Sequence, residues 1–192
     1  MKMTKWLGLA VLSVAALPAT AATFDASVGE ESVRLGLEGP LSSVFSGAKG
    51  EYDFGALWRS EDDADAFVPH VGVLLTGDTG AREATVTAGL GVRAAYIDGE
   101  STDGGALALG GKVDIRIPGY DRISVDLYAF GAPEITSFGD IENYYDIGAS
   151  VGYEVIKDAS VYIGWRQVQA DVDPNGEIEA DDALHAGLRL NF

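Results

Sequence analysis

From residue 23 to the last residue, apolar side chains recur at every second position, in run after run. "YDFGALW" sets Tyr52, Phe54, Ala56 and Trp58 on one face, and "FVPHVGVLL" does the same with Phe67, Val71, Val73 and Leu75. "ATVTAGLGVRAAY" aligns Ala84, Val86, Ala88, Leu90, Val92, Ala94 and Tyr96, and "LALGGKVDIRI" aligns Leu107, Leu109, Val113, Ile115 and Ile117. The pattern continues through "ISVDLYA", "YDIGASVGYEV", "VYIGW" and "LHAGLRLNF". A period of two is the mark of β-strands with two unlike faces, so the chain is restricted to an all-β fold.

The second face decides what surrounds the sheet. It carries Arg93, Lys112, Asp114, Arg116, Asp126, Asp146, Glu154, Arg166 and Arg189 among Gly, Ser and Thr. A soluble sandwich also alternates, with its apolar faces packed together. Two features favour the inverted arrangement. Several runs are about 9 to 13 residues long, the length of a tilted strand crossing a bilayer. Connections alternate between short ("TGDTGA", "PGYD", "IKDA") and long or acidic ("SEDDAD", "DGESTDGG", "GAPEITSFGDIEN", and the opening of "DVDPNGEIEADD"). These readings predict an antiparallel transmembrane β-barrel with short periplasmic turns and longer acidic extracellular loops. An Arg facing lipid at mid-bilayer costs about 2–4 kcal/mol, which makes the charged face the lumen.

Trp58, Phe67, Tyr96 and Tyr145 fall on the apolar face at the strand ends nearest the long loops, where an interfacial aromatic girdle belongs. Eight crossings are clear, and "RLGLEG" adds a ninth. Because single-chain barrels of this kind have even strand numbers, "TFDASVG" supplies a tenth, with a turn at Glu30 and Glu31. The expected count is eight to ten, with ten preferred; eight follows if Pro69 keeps "FVPHV" from being a full crossing.

Residues 1–22 read as a secretory signal peptide: Lys2 and Lys5, the apolar run "WLGLAVLSVAAL", then small residues with Ala19 and Ala21 in an A-x-A arrangement. Its removal would take the net charge from −17 to −19, since it holds two lysines and no acids. That charge excludes nucleic acid as a partner. The absence of Cys excludes disulfides and thiolate metal sites. Residues 23–192 form one domain, and the expected location is the outer membrane of a Gram-negative bacterium.

The chain ends in Phe192, with Leu190, Gly187 and polar His185 ahead of it. This is similar to the C-terminal signal that bacterial outer-membrane proteins present to the barrel-assembly machinery. Over nearly its whole mature length the chain also resembles the YfaZ family of outer-membrane proteins. The resemblance lies in the order and spacing of "RLGLEG", "AGLGVRAAYID", "GGALALGGKVDIRI", "IENYYDIGASVGYEV" and "ASVYIGWRQV". It implies a small barrel and brings no reaction or ligand.

Motifs with chemical meaning are few. "DVDPNGEIEADD" has the spelling of a calcium loop, with Asp171, Asp173, Asn175 and Glu177 at ligand places, Gly176 at the turn and Asp182 at the twelfth place. An EF-hand loop sits between helices, whereas strand patterns flank this one, and Pro174 with Asn175-Gly176 reads as a hairpin tip. A solvated acidic loop is the simpler reading, with weak divalent-cation association beside lipopolysaccharide as the functional one. "DTGA" at 78–81 lacks the second carboxylate that aspartic proteases need. "LGGKV" around Lys112 has Ala106 where a phosphate loop needs Gly. His70 and His185 have no nucleophile at motif spacing.

The expected protein is therefore not an enzyme and needs no cofactor. It is a small barrel with a mostly plugged, charged lumen and a structural or surface role. A narrow passive channel for ions or small solutes is the alternative, and an adhesin or cation-binding receptor acting through the acidic loops is the second. Tyr128, Phe130, Tyr144 and Tyr162 share the inward face, which favours the plug.

Overall fold

The computed structural model describes residues 22–60, 65–80, 84–99, 103–172 and 176–192; the expected signal peptide lies outside the described residues except for Ala22. The alternating runs form strands β1 (Thr23–Val28), β2 (Ser32–Pro40), β3 (Glu51–Arg59), β4 (Ala66–Asp78), β5 (Thr85–Gly99), β6 (Asp103–Arg116), β7 (Ile123–Ala132), β8 (Ser137–Gly139), β9 (Ile141–Ile156), β10 (Ala159–Val172) and β11 (Gly176–Asn191). Each long strand pairs antiparallel with its neighbours, β7 pairs directly with β9, and β1 pairs with β11. The result is a closed barrel of ten crossing strands. The short β8 lies beside β6, where Phe138 pairs with Gly105.

Both ends of the described chain meet at one rim, where Ala22 and Phe192 exchange backbone hydrogen bonds of 3.2 and 3.0 Å. The end of β4 at Asp78 and the turns 117–122 and 157–158 lie at this terminal rim, together with a longer connection over residues 41–50. The strand ends that lead into the acidic connections, Arg59, Gly99 and Val172 among them, lie at the opposite, distal rim. Much of what reads as acidic loop is strand: β10 runs to Val172 and β11 starts at Gly176, so Asp171 and Glu177 pair across a hairpin. Pro69 does not stop β4, which spans 13 residues. It interrupts the pairing with β5 between Phe67 and His70, as expected of a residue with no N–H to donate.

The apolar face points outward. Leu75, Leu90, Ile163 and Leu184 are 70, 74, 69 and 77 % exposed, while the neighbouring inward positions are buried or half-buried. Tyr52 shares the outward face but is buried, because its ring lies over Gly39 of the paired strand. Inside, most of the distal half is apolar: Leu57, Val68, Ile97, Phe130, Tyr144, Val168 and Val172 pack with small alanines into one cluster, beside a buried polar group at Ser27, Ser32, Arg166 and Asp181. The half nearer the terminal rim is polar and encloses a cavity of about 440 Å³.

Candidate functional site in the barrel interior

Burying a charge is tolerated where a partner of opposite sign and further hydrogen bonds replace water. The barrel interior meets that condition through side chains that reach across the bore from different strands. At mid-height Arg93 on β5 donates from Nε to Asp53 (3.0 Å), from Nη1 to Asp146 (2.7 Å), and from Nη2 to Asp53 again. Arg34 on β2 donates to Asp146 at 3.2 Å and to the Tyr128 hydroxyl at 2.9 Å. His70 Nε2 lies 3.3 Å from Asp53. The Arg93 guanidinium also lies 3.8 Å from the centre of the Phe130 ring, where the polar tier meets the apolar cluster. Gly148 leaves room for Tyr128: a Cβ there would fall 2.6 Å from its ring.

Toward the distal rim, Arg166 donates to Asp181 (2.6 Å), to Ser27 (3.1 Å) and to Ser32 (3.2 Å). Toward the terminal rim, Lys112 stands between Glu38 (2.6 Å) and Glu51 (2.7 Å). Arg189 stands between Asp25 (3.0 Å) and Asp126 (2.5 Å), and the Tyr162 hydroxyl donates to Asp25 at 2.7 Å. Asp114 sits opposite Asp126 in the β6–β7 register and lines the cavity. Arg116 and Glu154 are 3.7 Å apart and more exposed; of the two, only Arg116 lines the cavity.

Of the lumen charges expected from the sequence, the structure gathers Arg93, Asp146, Arg166, Lys112, Asp114, Asp126 and Arg189 inside. It adds Asp25, Arg34, Glu38, Asp53 and Asp181, which the sequence reading did not single out. All five share the period-two parity of the lumen face, so the same signal was available; Asp181 keeps the parity of Gly187 and Arg189 but stands in a stretch that reads as acidic loop. A bulge places Ala180 as an extra residue between the pairs Val168–Asp181 and Gln169–Glu179, and parity reverses only beyond Asp181.

Trp58, Phe67, Tyr96 and Tyr145 lie on outward strand positions near the distal rim, with the Trp58 and Phe67 rings 5.1 Å apart. Tyr96 donates to Asp103 at 2.7 Å and Trp165 to Asp182 at 3.0 Å, so indole and phenol reach polar groups just beyond the apolar band. At the C-terminus, Leu190 and Phe192 are exposed. Gly187 leaves space for the Tyr162 ring, which a Cβ at that position would overlap, and His185 packs edge-on against the same ring.

For the calcium-loop spelling, Asp173 and Asn175 lie outside the described residues. Asp171 accepts from Asn143 at 3.1 Å, and Asp182 accepts from Trp165. Among the described residues, no three His, Cys, Asp or Glu side chains are grouped to hold a metal ion.

The family described as "YfaZ precursor" matches residues 1–192, the whole chain. None of the curated proteins compared matches it. Among solved structures, the chain is similar to the outer membrane channel DcaP of Acinetobacter baumannii, with 10 % identity and a TM-score of 0.38. That match covers 88 % of this chain and 54 % of DcaP, so the chain spans about half the length of that relative. It is also similar to the KdgM porin, with 11 % identity and a TM-score of 0.37 over 90 % of this chain and 99 % of that one.

Proposed function

Because this chain belongs to the YfaZ family, we propose that it is a small barrel of the bacterial outer membrane whose lumen is held shut, with a structural or surface role. The observation that carries this reading is the division of the interior. The distal half is largely filled by the apolar cluster beside the buried Arg166–Asp181 pair, and the rest of the interior is braced by ion pairs across the bore. A packed apolar cluster offers water and ions no polar partners, and the Arg166–Asp181 pair beside it is satisfied within the wall.

The membrane reading rests on the outward face: the sheet closes on itself where β1 pairs with β11, and exposed leucine and isoleucine are stable against lipid. With both termini at one rim, that rim faces the periplasm and the acidic rim faces outside. The acidic rim then meets lipopolysaccharide, with divalent cations shared between phosphates and carboxylates, and the Phe192 end addresses the assembly machinery. The reading includes no reaction: His70 is held by Asp53, whose carboxylate also takes Arg93.

One observation favours the channel alternative: the cavity of about 440 Å³ reaches the terminal rim at Arg116 and Asn191. Planar-bilayer recording of the refolded protein separates the two. A closed barrel gives a silent membrane. Discrete, reproducible steps whose ion selectivity changes with Lys112→Gln would replace this reading with the channel.

A further inference from the structure

We propose that the polar cavity opens sideways into the membrane, by parting of β1 from β11, rather than along the barrel axis. The axial route outward is blocked by the apolar cluster. The cavity wall, by contrast, includes Thr23 and Asp25 of β1 together with His185, Arg189 and Asn191 of β11.

That seam is the weakest part of the wall. β1 has six residues and is the shortest crossing strand, whereas β9 and β11 have 16 each. Its register covers Thr23–Asn191 to Val28–Ala186, leaving Gly176–His185 of β11 without a partner from β1. What holds the seam from inside is polar. Asp25 bonds Arg189 and Tyr162, and Ser27 bonds Arg166. Asp25, Tyr162, Arg166 and Arg189 line the cavity, so water there can replace part of what each loses when the strands part, unlike the apolar packing on the distal side. His185, beside the seam, has its Nδ1 buried with no hydrogen-bond partner, a cost that parting the strands would relieve. β2 moves with β1 as one hairpin, because a short turn closed by the Gly29 N–H to the Ser32 carbonyl (2.8 Å) joins them, whereas no chain connection joins β1 to β11.

Residue-resolved amide hydrogen exchange of the full protein in lipid nanodiscs tests this. Along β1, one set of amides bonds β11 and the alternate set bonds β2. Opening of the seam exchanges the β11-bonded set at least 10-fold faster than the β2-bonded set. The Ala26→Cys, Leu188→Cys pair, which are register partners in a chain without native cysteine, forms a disulfide that abolishes the difference. Equal exchange of both sets, fast or slow, overturns the proposal: fast means the terminal strand frays, slow means the wall is sealed. The unmodified protein alone decides this if the cysteine pair fails to fold. A silent or conducting bilayer leaves this test unaffected, so its failure is separate from failure of the closed-barrel reading.

Discussion

Arg93 is the residue on which the interior depends most. Its guanidinium joins Asp53 and Asp146, packs on Phe130, and is itself buried. Removing one partner of a buried ion pair costs more than the pair is worth, because the remaining charge is stranded. Arg93→Ala is therefore expected to lower unfolding stability by about 3–5 kcal/mol, read from the urea midpoint in vesicles. Adding Asp53→Asn should recover part of that loss, since it removes the stranded charge. A loss within experimental error for the single variant would mean that the pairs are not formed. Arg93 was legible from parity alone; its partners were not, since period two gives the face of a residue and not which strand it meets across the bore.

The strands show the same boundary between what pattern reveals and what it hides. Long alternating runs gave β5, β9 and β10 because each position's neighbour in the pleat is set locally. Strand ends extended past the expected loops, as acidic residues on outward positions beyond the apolar band have no reason to break pairing. Pro69 was absorbed by losing ladder bonds on one side. The bulge at Ala180 exchanged the faces of the residues distal to it, leaving Ile178 packed against the core and Glu177 and Glu179 exposed. Lipid-face assignment makes a graded expectation on one strand. Leu90→Arg should cost about 2–4 kcal/mol in vesicles, and Asp98→Arg near the distal rim about 0–1 kcal/mol. Equal effects at the two positions would remove the bilayer from around β5.

For the whole molecule, the two ends of the lumen differ: the terminal half is polar and holds the cavity, and most of the distal half is packed with apolar side chains, which the proposed closed barrel requires to exclude water. The absence of cysteine allows this to be mapped directly with single thiols and a membrane-impermeant maleimide. Ser124 and Ser150 line the cavity, whereas Ala108 and Ala170 lie in the apolar cluster. Ser124→Cys and Ser150→Cys are expected to label at least 100-fold faster in the folded barrel than Ala108→Cys and Ala170→Cys. All four should label alike once the protein is unfolded. Rapid labelling of Ala108→Cys and Ala170→Cys in the folded barrel would show a continuous water path through the bore and contradict the closed lumen.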